Sequence, residues 1–381
     1  MKIGLLIAFA GRQCGGPEVY ERELVRAMSD LEPRHEYHLY CLDRRAASVI
    51  GLQHDNVVYH MLRPSVRAVS MVISLPLALA RTRPDVFHAP VIPPPFCPAN
   101  TIMSMPCSSL LRHPDLYPPL IRLRLRFLLH RAVPKAARVI CPSEHVRDVL
   151  QEYFKISADR LPVIYPGVSP LFRSIDEKDK QTHLRERYGI QHPYFLFSGR
   201  WEKRKNVVRT LQAFAMFKQS SRTEHKLVLT GGRSWGSAKA EQVIQRSGLQ
   251  KWIVDLGKEP IDELPYLYGA AQAVVYASLW EGFGMPIIEA MACGTPVITS
   301  NIAAMPETAA GGALLVDPHS TEEIASAMHR LAADPDLRKQ LRDKGLKRAQ
   351  MFSWERTARR TLDLYEEIGA GQSAGLAQSL K

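Results

Sequence analysis

The chain has 381 residues, 46% of them apolar and 23% charged, with a formal net charge of +12. That length exceeds what one hydrophobic core usually serves, so two domains are expected, and the composition, free of low-complexity tracts, excludes a disordered or fibrous chain. The charge favours an anionic partner, whether nucleic acid, an acidic membrane surface or a phosphorylated substrate, and does not choose among them.

Short apolar runs alternate with helical patterns, which predicts parallel sheets covered by helices, an α/β fold. At the start, Lys2 precedes an apolar run as in a signal peptide, but the run is too short and reads as a first strand, Ile3–Phe9, entering a glycine loop. A helix follows over Glu18–Met28. Further strands are expected at Tyr37–Leu42, Val57–Met61, Val86–Ala89, Thr101–Met105 and Val139–Cys141. The apolar run from Ala68 to Ala80 is broken by Ser70, Ser74 and Pro76 and falls short of a membrane span, so no transmembrane anchor is expected.

The pattern breaks at Tyr165-Pro166-Gly167-Val168-Ser169-Pro170 and restarts at Tyr194. This places a domain junction near residue 172, giving domains 1–172 and 173–354 and a final helical segment 355–381. In the second half strands are expected at Tyr194–Ser198, Lys226–Leu229, Ile253–Leu256, Ala273–Tyr276, Val297–Thr299 and Ala313–Val316. The cysteines, Cys14, Cys41, Cys97, Cys107, Cys141 and Cys293, form no Cys-x-x-Cys pair, so neither a zinc site nor a disulfide framework is indicated, and a reducing cytoplasm fits.

Ligands of open parallel sheets bind beyond the carboxyl ends of the strands, and four such places carry suggestive chemistry. Gly15-Gly16-Pro17-Glu18 offers backbone N–H groups before a helix, although a tight turn without ligand explains it equally well, and the Rossmann Gly-x-Gly-x-x-Gly is absent. Gly199-Arg200 with Lys205 after the next domain's first strand suits a cationic clamp on a diphosphate. Glu281-Gly282-Phe283-Gly284-Met285-Pro286 leads into a helix that carries Glu289 and is stopped by Gly294. Its glycines allow close backbone approach, and its free N–H groups and dipole favour a phosphate or sugar hydroxyl. His113 with Asp115 is the fourth place, and by itself weak. Asp334-Pro335-Asp336 has the spacing of a metal-binding pair but reads as a turn and helix cap.

Together these motifs resemble the retaining glycosyltransferases of family 4, whose GT-B fold has two Rossmann-like domains with parallel sheets facing across a cleft. The resemblance rests on Glu281-x7-Glu289 with its glycines, on Gly199-Arg200 and Lys205-Asn206, on Ser143-Glu144 and on Phe352-Ser353-Trp354. It implies that Arg200 and Lys205 bind the donor diphosphate and that Glu289 binds the ribose. Glu281 and the backbone of Gly282, Phe283, Gly284, Met285 and Pro286 would hold the sugar and its phosphate. Gly15 and Gly16 would let the first domain's loop approach the diphosphate, and Gly257 and Lys258 would receive the base. The last helix would cross back onto the first, acceptor-binding domain.

The family's adjacent His-Asp pair is split here by Pro114, which leaves open whether His113 or Asp115 reaches the donor sugar. Tyr165-Pro166-Gly167-Val168 resembles polysaccharide mannosyltransferases, a hint toward GDP-mannose. The resemblance thus implies a metal-independent hexosyltransferase of cell-surface polysaccharide synthesis, with no cofactor and a lipid-linked or saccharide acceptor. Alternatives are a UDP-sugar enzyme, a sucrose- or glycogen-synthase-like enzyme, and a non-catalytic nucleotide-sugar binder; no nucleic-acid motif is present. Between Leu116 and Ser143 no acidic residue interrupts Arg122 to Arg138, so this stretch suits either an anionic membrane face or an amphipathic helix packed on the sheet.

Overall fold

The computed structural model describes residues 1–12, 15–64, 66–98, 100–234 and 237–379, with side chains to residue 370. Cys14 lies outside the described residues; the other five cysteines are free thiols. The chain divides into two compact units, residues 1–167 with 353–381, and residues 168–352.

The N-terminal unit is built on β1 (Lys2–Ile7), β2 (Glu36–Cys41), β3 (Val57–Met61), β4 (Val86–Ala89), β5 (Thr101–Ser104) and β6 (Arg138–Ile140), all parallel in the order β3-β2-β1-β4-β5-β6. Helix α1 (Gly16–Leu31) follows β1, α2 (Leu75–Thr82) precedes β4, and α3 (Pro119–Ala132) precedes β6. Strands covered on both faces need apolar side chains on both, so β4 and β5 are buried throughout. Phe87 and Ala89 pack under Leu75 and Leu79 of α2, while Met103 and Val139 pack under Leu129 and Ala132 of α3. Because Ala89 pairs with Met103 and Met103 with Val139, α2 and α3 cover the same sheet face.

The opposite face takes the C-terminal helix, Trp354–Ser379. Between Phe87 and Ala89, His88 points the other way, its Nδ1 hydrogen-bonded to the hydroxyl of Tyr365 and its Nε2 2.8 Å from Ser104 Oγ. Burial pushes this imidazole down to about 3, so it stays neutral. Thr357 donates to the carbonyl of Tyr165 at 2.8 Å. A Cβ on Gly167 would lie 2.3 Å from the backbone nitrogen of Trp354, so the Pro166-Gly167 and Ser353-Trp354 segments meet where only glycine fits.

The C-terminal unit repeats the architecture with β7 (Tyr194–Ser198), β8 (Lys226–Thr230), β9 (Ile253–Gly257), β10 (Ala273–Tyr276), β11 (Val297–Ser300) and β12 (Leu314–Val316), ordered β12-β11-β10-β7-β8-β9. Helices α4 (Val207–Ser220), α5 (Leu264–Gly269) and α6 (Met285–Ala292) belong to it. Its start is a correction to the sequence boundary at 172/173. The division falls at 167/168, because Phe172 is buried against Leu184, Ile190 and Tyr268, and Val168 N–H donates to the Phe352 carbonyl at 3.3 Å. Likewise the return segment begins at Ser353 rather than at residue 355.

Candidate active site

Strand order reverses between β7 and β10, hydrogen-bonded neighbours in the C-terminal sheet, and a crevice beyond the carboxyl ends of such strands is where doubly wound sheets take ligands. The segment leaving β7 carries the cations and the segment leaving β10 the carboxylates.

At the end of β7, Gly199 N–H donates to the Thr230 carbonyl at 2.9 Å. Trp201 and Glu202 are buried, Lys203–Lys205 make a 3-10 turn, and Asn206 closes it with φ 61°. The buried Asn206 amide donates to the carbonyls of Ala277 at 2.9 Å and Pro318 at 2.7 Å, tying this turn to the exit of β10. The short turn directs Arg204 and Lys205 inward.

Beyond β10, Glu281 precedes the Gly282-Phe283-Gly284 turn. Gly284 has φ 99°, where L side chains are strained, and a Cβ there would stand 2.9 Å from the tip of the Ile287 side chain, which would have to shift. The Phe283 carbonyl accepts from Thr308 Oγ1 at 2.6 Å, and α6 starts at once with Pro286 in its first turn.

Four charged groups lock together here. Glu281 Oε1 lies 2.7 Å from Lys205 Nζ, and its Oε2 lies 2.7 Å from Arg204 Nη1. The other guanidinium nitrogen of Arg204 reaches Glu202 Oε1 at 2.8 Å, and Nη1 also donates to the Trp280 carbonyl at 3.0 Å. Lys205 further donates to the hydroxyl of Tyr276 and lies over its ring. Burial pushes the Glu281 carboxyl up, but Arg204 and Lys205 together pull harder and bring it to about 2. The Lys205 ammonium is lowered by burial, which the Glu281 pair opposes. Glu289, on α6, differs: burial raises it to about 7, against the Tyr268 hydroxyl that donates to Oε2 at 3.0 Å and the charge of Lys205. One carboxylate is thus held ionised while the other titrates near neutrality.

The structure gathers Gly199, Lys205, Glu281, Gly284 and Glu289 at one end of one sheet. Gly257 ends β9 at the same edge, its carbonyl accepting from Thr230 Oγ1 at 3.3 Å, with Lys258 exposed beside it. Arg200 is exposed and forms no ion pair among the described residues, unlike Lys205, which the carboxylate already holds. Sequence reasoning missed Glu202, Arg204, Tyr268 and Tyr276; the Glu202-x-Arg204 spacing inside the basic run was the available signal.

In the N-terminal unit, Gly15 and Gly16 open α1 and are exposed. His113 is half-buried after the short helix Ser109–Arg112, and Asp115 is exposed in the 3-10 turn Pro114–Leu116. Two other motifs are caps: Ser143 Oγ accepts from Val146 N–H at 3.1 Å, and Asp334 Oδ1 from Leu337 N–H at 2.8 Å. Among the described residues no cluster of three metal-ligating side chains occurs and no helix is long and apolar enough to cross a membrane.

Two doubly wound units in one chain define the GT-B architecture. The family model for Glycosyltransferase Family 4 matches residues 14–170, and that for Glycosyl transferases group 1 matches residues 180–348. O-antigen chain mannosyltransferase B of Escherichia coli is 30% identical over 76% of this chain and 76% of its own. O-antigen chain mannosyltransferase RfbU of Salmonella typhimurium is 30% identical over 59% of this chain and 58% of its own. The structure of sucrose-phosphate synthase from Thermosynechococcus elongatus superposes with a TM-score of 0.80, covering 97% of this chain and 100% of that one at 22% identity, which speaks for the fold alone. The chain belongs to the family 4 glycosyltransferases and is a hexosyltransferase.

Proposed function

We propose that this enzyme transfers mannose from GDP-mannose, with retention and without a metal, to a lipid-linked or saccharide acceptor in cell-surface polysaccharide assembly. The observation that carries the reading is the pair Glu281 and Glu289 at the reversal of strand order, with Lys205 between the cation-bearing and carboxylate-bearing segments. The names of the two O-antigen mannosyltransferases support the choice of sugar and pathway.

In this reading Arg200 and Lys205 neutralise the diphosphate as the sugar C1–O bond breaks, and the acceptor oxygen bonds to C1 while its proton passes to the departing phosphate oxygen. Glu289 accepts the ribose hydroxyls and Glu281, with the backbone of Gly282 to Pro286, holds the sugar. Gly257 and Lys258 face the base. In the N-terminal unit the donor contacts fall to Gly15, Gly16 and one of His113 and Asp115. Fixed cations supply the charge that other transferases take from a metal, so turnover persists in EDTA; its loss there contradicts the metal-free route.

A thermal-shift panel of GDP, UDP, ADP and their sugars tests the donor. At a hundred times its dissociation constant a ligand stabilises by about 2.7 kcal/mol, so the matching base stands out. A response to UDP-sugars alone removes GDP-mannose.

The reading of where the acceptor is met draws on α3. Leu120 is 80% exposed, Leu123 70% and Phe127 57%, three apolar side chains at helical spacing among exposed Arg122, Arg124, Arg126 and Arg131. Val72, Ile73 and Leu77, before and in α2 on the same sheet face, are exposed as well. An anionic bilayer satisfies both the arginines and the apolar stripe, putting the enzyme on the inner face of the plasma membrane beside a lipid-linked acceptor. Binding to vesicles containing phosphatidylglycerol is expected and weakens as salt rises; equal binding to neutral vesicles, or none, contradicts it.

A further inference from the structure

The N-terminal sheet also reverses its strand order, between β1 and β4, and the chain leaving β1 there turns successive backbone N–H groups toward a single carboxylate. Glu21, on α1 and 3% exposed, accepts from Ala8 N–H at 2.8 Å through Oε1, and from Phe9 and Ala10 N–H at 2.9 Å each through Oε2. Glu18, one turn earlier, accepts from Gly11 N–H at 3.1 Å. Converging backbone N–H groups at such a place form a nest that suits an anion, commonly a ligand phosphate. Here the chain supplies its own anion.

We infer that Glu21 is a positioning residue: its carboxylate occupies the nest in place of a phosphate, excludes ligand anions from it, and fixes the path of residues 8–11 that leads to the Gly15–Gly16 turn. The functional half of this rests on the reading that Gly15 and Gly16 serve the donor. A buried carboxylate with three N–H donors is far costlier to remove than an exposed cap, because three N–H groups, two of them buried, lose their partner together. The arrangement also explains why no Gly-x-Gly-x-x-Gly follows β1: a chain that must wrap a carboxylate needs no glycine cradle for pyrophosphate. Burial raises the Glu21 carboxyl to about 7 against the pull of the Ala8, Phe9 and Ala10 N–H groups, which favour its charged form, with Glu18 on the same helix adding to the rise. From the neighbouring strand β2 the Cys41 thiol faces it and is itself pushed up, to about 12, by burial and by Glu21.

The test uses the full chain with Glu21→Ala and, should that variant not fold, Glu21→Gln. Amide hydrogen exchange is followed in residues 8–11, alongside turnover of GDP-mannose, with and without added formate, which is sized to refill the nest left by Glu21→Ala. Exchange of these amides is expected to quicken at least tenfold in either variant while the β5 and β6 amides stay protected, and kcat/KM to fall roughly 10- to 100-fold. Formate restores both in Glu21→Ala, and in no case in Glu21→Gln, whose side chain still fills the space. Unchanged exchange at residues 8–11, or quickened exchange with undiminished turnover, overturns the inference. Should the wild-type chain turn over no GDP-mannose, the donor reading fails, and exchange with formate rescue still decides whether Glu21 holds the nest.

Discussion

Lys205 Nζ and Glu281 Oε1 lie 2.7 Å apart, joining the exit of β7 to the exit of β10 at the reversal of strand order. Glu281 keeps a second partner in Arg204, so removing the lysine leaves the carboxylate paired. Lys205→Ala is therefore expected to fold. Losing one preorganised cation costs about 3–4 kcal/mol of barrier, a fall in turnover of roughly two to three orders of magnitude. Steady-state kinetics with near-normal kcat removes Lys205 from the chemistry.

Arg204 has the structural share of the same cluster. Its guanidinium bridges Glu202 and Glu281, side chains that are 9% and 10% exposed. Arg204→Gln takes the cation from Glu202 and leaves Glu281 with Lys205 alone, and is expected to destabilise by about 3–5 kcal/mol, read from the urea midpoint. A variant as stable as wild type shows that the pair of glutamates needs no guanidinium.

That Arg204 was overlooked in the sequence has a physical reason. In Lys203-Arg204-Lys205 every residue is a cation, and which ones point inward depends on the 3-10 turn and the left-handed Asn206 that ends it. Such a turn has no periodic signature. The strands were legible because parallel strands covered on both faces leave short, largely apolar runs: Val86–Ala89, Tyr194–Ser198 and Ala273–Tyr276 have the bounds expected of them, and so does the half-buried edge strand Val57–Met61. The glycine turn before α6 was legible too, since Gly284 at φ 99° and Pro286 in the first helical turn are demands on residue type. Glu21 was not, because its partners are backbone N–H groups that any sequence carries.

Asn206 ties the two strand exits together through the carbonyls of Ala277 and Pro318. Replacing it with alanine strands both carbonyls in a buried site, and about 2–4 kcal/mol of stability is expected to go. Because the turn carrying Lys205 then loosens, donor affinity should drop as well. Calorimetry showing unaltered stability contradicts this role.

The two carboxylates of the site predict opposite pH effects. Glu281 is depressed from 4.5 to about 2, so its stabilising contribution is complete above pH 4.5 and is lost as pH falls toward 2. Glu289 is raised to about 7, so the folded chain holds a proton that the unfolded chain has released, and this contribution to stability declines as pH climbs from 4.5 to 7. The Glu289 part amounts to at most about 3 kcal/mol. Urea midpoints across this range should show that decline reduced in Glu289→Gln; an identical profile in the variant contradicts the shift. If the ionised Glu289 accepts the ribose hydroxyls, GDP-mannose also binds more tightly at pH 8 than at pH 6, and Glu289→Gln abolishes the difference.

The most direct measurement is GDP release from GDP-mannose in the presence of a lipid-linked saccharide, compared between wild type, Lys205→Ala and Glu281→Gln, each shown to be folded. Turnover by the wild type that persists in EDTA and falls at least a hundredfold in both variants is the expected result. Wild-type turnover matched by the two variants contradicts a reaction centred on the Lys205–Glu281 pair.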